Sequence, residues 1–474
     1  MSAFATPSGS ATCCRHLPKR GGIMDTTSHE GLCAAALPVD NQLPLMTYRA
    51  LGRHNTDESA FIAYRDLVFD ITAFLSRHPG GRDIVRAALG TDITQTLDSF
   101  HDAHVSRLLV TERLREQYGI ALAGKLSPLD VVRHNRLGLH DYQSRRQYPP
   151  ADPMGDELRH EVFGLLRQEC LPTQKSLAEC LVLLALFYGA LVSCVYLAFF
   201  KGSWLACLVF GPVATFMAVN VGHTVMHGGF SPYPFINLLG RCLWDAGGYA
   251  ACCWDIEHQG HHQAPHTSID LQTAPATGMR FFEHQRPKWF HRYQMFYMWL
   301  LFVFYSPVSW VMHSYKTLCV YPTVRPLDKA LHVGFKLCFF IVPLTLSFWL
   351  LGVGVAARNL LVLSISMSYF SLFTLFIQHE DAYLPEEVCE SWSVRQVVTS
   401  VSWRSGSAVF EWLFGYFNYH IEHHLFPGLN PSVYPRLQPL VKDICQKYGV
   451  RYKHISYLEL VRSQLRAWRR YAIH

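Results

Sequence analysis

Gly222-His223-Thr224-Val225-Met226-His227, His258-Gln259-Gly260-His261-His262 and His420-Ile421-Glu422-His423-His424 are the three short runs on which the reading of this chain turns. On a helix, His223 and His227 are i, i+4 and share one face. The other two runs place histidines at i, i+3 and i+4, again on one face. Imidazoles gathered in this way suit a first-row transition metal. A lone histidine on an apolar face is ordinarily a core or interface residue, but three compact patterns of this kind are not explained that way. Structural zinc takes four ligands and catalytic zinc usually three plus water, so eight imidazoles exceed one zinc and fit two metal ions. A carboxylate-rich di-metal bundle needs Glu and Glu-x-x-His on paired helices. That signature is missing, and Glu422 is the only carboxylate inside the runs. Each run lies at or near the end of a long apolar segment, where a fold can gather them at a membrane surface.

The composition agrees with a membrane setting. Hydrophobic residues make up 50% of the 474-residue chain and charged residues 16%, against about a quarter charged in typical soluble proteins. The net charge of +6 is modest. It reads as affinity for an anionic membrane face; no basic helix or stripe points to nucleic acid. The 14 cysteines follow no disulfide framework. Cys194, Cys207, Cys319 and Cys338 lie in apolar stretches and read as small core residues.

Taken in order, residues 1–45 are rich in small and polar residues without apolar periodicity and are expected to be a disordered leader. Arg15, Lys19 and Arg20 hint at a transit peptide, but no secretory apolar region follows. Residues 46–120 mix charged and apolar residues as a small soluble domain does. Strands are expected over 61–65 and 67–71, one helical turn over 72–77, a sharp turn at His78-Pro79-Gly80-Gly81, and helices over 82–89 and 92–100. His101, 23 positions after His78, closes the second helix. Two histidines so placed can clamp a planar ligand from both sides, and axial histidine is one way of holding haem iron. Val68-Phe69-Asp70-Ile71-Thr72-Ala73-Phe74-Leu75, then His78-Pro79-Gly80-Gly81, Gly90-Thr91-Asp92 and Phe100-His101 resemble a cytochrome b5 domain. The resemblance implies haem b with His78 and His101 as its axial ligands; His104 is the rival for the second position.

Residues 121–175 are polar and basic in patches and read as linker and membrane-surface approach, with an amphipathic helix over 157–169. Membrane spans are expected over 177–200, 204–221, 335–353 and 359–377, paired as hairpins that turn at 201–203 and near 356–358. Residues 234–253 read as interfacial. The stretch 295–312 is apolar but holds Pro307. If the third histidine run is to meet the first two, an even number of spans must separate them. That makes 295–312 interfacial or re-entrant and gives four spans, with the basic loop 279–330 on the cytosolic side. The second hairpin then delivers Gln378-His379-Glu380 to the same face, so His379 becomes a ninth candidate ligand. Residues 461–474 read as a basic tail.

The three runs in this order behind a haem domain resemble a membrane fatty acid desaturase with an N-terminal cytochrome b5, over about residues 45–460. Asn418-Tyr419-His420-Ile421-Glu422-His423-His424-Leu425-Phe426-Pro427 carries the match most closely. The haem fusion resembles front-end acyl desaturases and sphingolipid Δ8 desaturases. That subgroup usually carries Gln where this chain has His420, and Gln263-Ala264-Pro265-His266-Thr267-Ser268 also departs from the usual stretch. The implied fold is a small α+β haem domain followed by an all-α integral membrane domain of about four transmembrane helices with a cytosolic histidine-rich cap. The implied activity is O2-dependent desaturation of a lipid acyl chain (acyl-CoA, phospholipid or ceramide) in the endoplasmic reticulum membrane. Its cofactors would be two Fe ions and haem b, and its partner an NAD(P)H-dependent cytochrome b5 reductase. No side-chain acid or base breaks an unactivated C–H bond, so a metal oxidant and a supply of electrons are both required. Glu422 is read either as orienting a ligand imidazole or as a surface charge. Lipid hydroxylation on the same scaffold and a non-catalytic membrane-anchored haem electron carrier remain alternatives.

Overall fold

The computed structural model describes residues 43–78, 88–94, 111–126, 152–263, 278–280, 286–320, 326–379, 391–404 and 407–473, with single positions 82, 85, 97, 100, 101, 109, 265 and 324. The expected leader, the turn at 79–81, His104 and residues 127–151 lie outside the described residues apart from 43–45.

The N-terminal domain is built on a five-stranded sheet in the order β1-β5-β4-β3-β2. Strands β3 (Ser59–Tyr64) and β4 (Leu67–Asp70) form an antiparallel hairpin. Its two-residue turn, Arg65-Asp66, has both φ values positive, at 48° and 70°, as the twist of a tight hairpin demands. The short β2 (Asn55–Thr56) pairs on the outer side of β3. On the other side, β5 (Ala121–Leu126) runs antiparallel to β4 and parallel to β1 (Leu45–Met46). The stretch 121–126, expected to be linker, is thus an interior strand. Its Ala-Leu-Ala-Gly-Lys-Leu sequence lacks the β-branched residues that mark strands, and partner strands supply the order instead. Leu51, Ala63, Val68 and Leu126 form the small core beneath it.

Among the described residues, four helices are long and apolar enough to cross a membrane: Leu177–Phe199, Trp204–Met226, Pro326–Leu350 and Val353–Leu375. The count matches the expectation, with two corrections of extent. The second span does not stop at 221 but continues through a π-helical turn, Ala218–Gly222, into the first histidine run. The second hairpin turns at Gly352, whose φ of 79° suits glycine, and not at 356–358. Arg358 instead lies inside the fourth span and reaches back to donate to the Gly202 carbonyl at 2.7 Å. It thereby caps the turn of the other hairpin. Residues 291–303 and 305–320 form two helices bent by 67° about Phe304.

The second and fourth spans run side by side and point the same way. A Cβ at Gly211 would collide with Ser366, whose hydroxyl donates to the Leu208 carbonyl at 2.5 Å. Asn359 donates to the Ala198 carbonyl at 2.7 Å. Small residues and inter-helix hydrogen bonds are the usual means of helix association where lipid gives no hydrophobic drive. The consequence is functional: the span ending in His223 and the span ending at His379 emerge together. Cys194 and Cys207 are buried as expected, whereas Cys319 and Cys338 are exposed. On a membrane helix an apolar neighbourhood can be lipid, so an apolar sequence context does not imply burial in protein.

The expected C-terminal tail is also corrected. Tyr457–Ile473 is a helix. Leu460, Ser463, Gln464, Ala467, Trp468 and Tyr471 fall on one face at helical spacing and are buried. Trp468 packs with Met298, Phe302 and Leu372, and its carbonyl accepts from Gln294 at 2.8 Å.

Candidate metal centre

The three histidine runs converge, and they do so in two groups. His223, His227, His258, His262 and His423 each offer a ring nitrogen within 4.8 Å of the others. His261, His379 and His424 do the same, and His420 joins them with its Nε2 2.9 Å from that of His379. With the three runs numbered in chain order as boxes one, two and three, box two, on the helix Ala251–Gln263, feeds both groups. His258 and His262, one turn apart, serve the first, and His261 the second. Box three divides likewise, with His423 in one group and His420 and His424 in the other. The groups adjoin where the rings of His262 and His424 stack.

Local sequence explains how each run is aimed. The π-helical turn before box one widens the helix at the place where the side chains must be re-aimed, a common device at functional sites. A Cβ at Gly222 would overlap the Trp244 ring. Trp244 in turn packs against Trp254, with centroids 4.9 Å apart, and Trp254 stacks on His258 at 3.7 Å and 24°. The chain Gly222–Trp244–Trp254–His258 thus sets box one against box two.

Hydrogen bonds fix several of the rings. His379 Nδ1 donates to the Thr399 carbonyl at 3.2 Å and His424 Nδ1 to Gln396 Oε1 at 2.8 Å. Each leaves Nε2 directed inward, the arrangement that holds a metal-binding imidazole in one tautomer. Gln396 Nε2 and Trp392 Nε1 both donate to the His262 carbonyl, at 2.9 and 3.1 Å. Sequence reading missed Gln396, Trp392, Thr399 and Trp254. None carries a motif, and only proximity in the fold reveals them.

The donor set fits two metal ions. His379 Nε2 lies 2.8 Å from His261 Nε2, 2.9 Å from His420 Nε2 and 3.1 Å from His424 Nε2. One nitrogen with a single proton or lone pair cannot satisfy three such neighbours, but a cation between them can. In the other group, His258 Nε2 lies 3.1 Å from both His223 Nε2 and His262 Nε2. Neither ring nitrogen of the buried His227, nor Nε2 of His423, has a hydrogen-bond partner among the described residues. Burial, followed by the neighbouring imidazoles, holds His227, His262, His423 and His424 well below the usual histidine range. They are therefore neutral and available as donors at physiological pH. A third grouping, Cys253, Glu257 and His313, differs, because Lys316 already forms an ion pair with Glu257.

Glu422 fits neither reading offered from sequence. It is fully buried, and its carboxylate accepts from Ser402 at 3.0 Å and from the Tyr452 hydroxyl at 2.5 Å. Ser402 Oγ also accepts from Ile421 N at 3.1 Å. Glu422 thus anchors the backbone of box three to β6 (Ser402–Arg404). Burial pushes its carboxyl up to about 7.

In the N-terminal domain, the rings of His78 and His101 meet edge to face, with centroids 6.0 Å apart and planes 79° from parallel. His101 Nδ1 donates to the Leu97 carbonyl at 3.2 Å.

Residues 167–456 match the fatty acid desaturase family, and residues 47–122 match the cytochrome b5-like haem/steroid binding domain.

The chain belongs to the fatty acid desaturase family.

Several relatives match most of the chain at low identity. This desaturase is 26% identical over 428 residues to the chloroplastic acyl-lipid (7-3)-desaturase of Chlamydomonas reinhardtii, covering 83% of this chain and 76% of the relative. It is 24% identical over 455 residues to Delta(5) fatty acid desaturase A of Dictyostelium discoideum, covering 87% and 92%. It is 26% identical over 451 residues to the acyl-lipid (8-3)-desaturase of Mortierella alpina, covering 86% and 92%. The desaturase is an oxidoreductase with a fused cytochrome b5-like domain, which implies haem, and its family implies iron.

Proposed function

We propose that this desaturase introduces a double bond, at a front-end position, into the acyl chain of a lipid. In this reading two iron ions are held by His223, His227, His258, His262 and His423 on one side and by His261, His379, His420 and His424 on the other. His78 and His101 hold haem b. Bound iron would supply the activation of O2 that no side chain provides, and haem held by His78 and His101 would supply the electrons. The observation that carries the reading is the partition of nine imidazoles, eight buried and His379 half-buried, into two adjoining groups at the ends of apolar helices.

The protein's own residues then do the positioning. Gln396 and Thr399 hold two imidazoles in one tautomer. The Trp244–Trp254 contact, with Trp254 stacked on His258, keeps boxes one and two in register. The apolar spans present an acyl chain to the centre from the bilayer. The haem domain and histidine boxes face the cytosol at the endoplasmic reticulum membrane, where an NAD(P)H-dependent cytochrome b5 reductase reduces the haem. The acyl carrier is acyl-CoA, phospholipid or ceramide. The relatives act, by their names, on acyl lipids, which favours a glycerolipid.

Expression in a yeast fed candidate fatty acids tests the reading. New products lighter by two hydrogens are expected, with the double bond between an existing one and the carboxyl end. Activity retained by a His423→Ala, His424→Ala double variant would overturn it.

A further inference from the structure

The segment carrying His101 touches the metal centre directly. The ring of Phe100, the preceding residue, lies 5.9 Å from the ring of His227, tilted by 35°. It sits in a notch made by the absence of a side chain. A Cβ at Gly428 would lie 2.7 Å from Phe100 Cδ1, 3.4 Å from Cε1 and 3.5 Å from the His227 carbonyl oxygen. Gly428 does not belong to the left-handed glycines of the described chain, so backbone strain does not call for glycine there. Close approach of the Phe100 ring does. The floor of the notch is fixed: the backbone of Leu429 packs against Gly229, and Asn430 N donates to the Thr173 carbonyl at 2.8 Å.

We propose that Phe100 is the docking residue that seats the haem domain on the metal centre, with the notch at Gly428 as its socket, so that His101, Phe100 and His227 form a direct electron route. The inference rests on the functional reading above. Along that route one peptide link joins His101 to Phe100, and one van der Waals gap separates Phe100 from His227. Each passage oxidises one ferrous haem to ferric and reduces one ferric ion of the centre to ferrous. Two passages and two protons, with one O2 and the two hydrogens lost by the acyl chain, balance as two waters and one double bond. A nicotinamide donor, acting through a flavin reductase, supplies the electrons. Phe100 is a positioning residue in this account, since it binds neither metal.

The test uses the full-length protein loaded with haem and iron. Its haem is reduced anaerobically by reductase and nicotinamide, then mixed with O2 and acyl substrate while haem absorbance is followed. Phe100→Ala and Gly428→Ala are each expected to slow haem reoxidation by about tenfold or more, the scale of losing one anchoring contact. Haem reduction by the reductase and non-haem iron content should stay at wild-type levels. Phe100→Leu should restore part of the rate to Gly428→Ala, because the smaller side chain makes room for the added methyl. Hydrogen exchange across residues 426–431 should rise in Phe100→Ala. Wild-type reoxidation rates in both single variants would overturn the proposal, and so would loss of iron in parallel with rate, which would mean a packing role only. Should wild-type haem fail to reoxidise faster when acyl substrate is added, the functional reading itself would fall, and this inference with it.

Discussion

His262 and His424 stack with ring centroids 4.3 Å apart and planes 29° from parallel. Each belongs to a different histidine group, so the two groups share a wall. Removing one of these rings should disturb both sites. His424→Ala is expected to lose one equivalent of non-haem iron outright and to weaken retention of the second under dialysis, with haem content unchanged. Metal analysis on purified protein, with haem counted separately, checks this. Loss confined to one equivalent under all conditions would mean that the sites are independent.

His420 stands where the resembling subgroup usually has Gln. Its Nε2 is one of three that converge on His379 Nε2. A glutamine amide oxygen offers one donor of similar reach and no charge. His420→Gln is therefore expected to keep iron and part of the activity, whereas His420→Ala should lose both. Product yield and iron content, measured on the same preparations, distinguish the two.

Glu422 holds Ser402 and Tyr452 behind box three. Glu422→Ala would leave buried hydroxyls without an acceptor, at a cost of about 1–3 kcal/mol for each group. Glu422→Gln keeps the volume and one acceptor. Thermal unfolding followed by tryptophan fluorescence should show a clear drop for Glu422→Ala and a small one for Glu422→Gln. The order of the two variants is the prediction.

Depressed histidines make the metal-free protein acid-sensitive. His227, His262, His423 and His424 lie below their unfolded values in the folded state. As pH falls below about 6.5, the unfolded chain takes up protons that the folded one refuses. Stability is thus fully present above that pH and declines as pH falls, with each such histidine contributing up to about 1.4 kcal/mol per pH unit. Melting temperatures of the metal-free protein should decrease steadily from about pH 7 to pH 5. A flat profile would show that these imidazoles are hydrated.

Much of the centre was legible in the sequence because helical periodicity is local. His258, His261 and His262 declare a shared face without knowledge of any partner. The ninth histidine, His379, followed only from counting spans, and the fourth span does lead to the place where boxes one, two and three meet. What was not legible depends on distant contacts. Residues 121–126 have no strand signature and become one by lying between β1 and β4. Arg358 looked like part of a turn and is instead a capping residue aimed at Gly202. The Arg-rich C-terminus hid a buried stripe, because charged residues fill the remaining faces of that helix. Glu422 was open to two readings, ligand-orienting or surface charge, because a carboxylate between histidines gives no sign of the Ser402 and Tyr452 hydroxyls that donate to it.

Box two supplies both histidine groups from one helical turn. The interval between the two sites is consequently governed by the pitch of a hydrogen-bonded backbone and not by the lengths of the apolar spans. Bilayer thickness, acyl length and the lipid-facing residues can therefore drift without retuning the oxidising centre, whereas a single residue inserted between His258 and His262 would dismantle both halves at once.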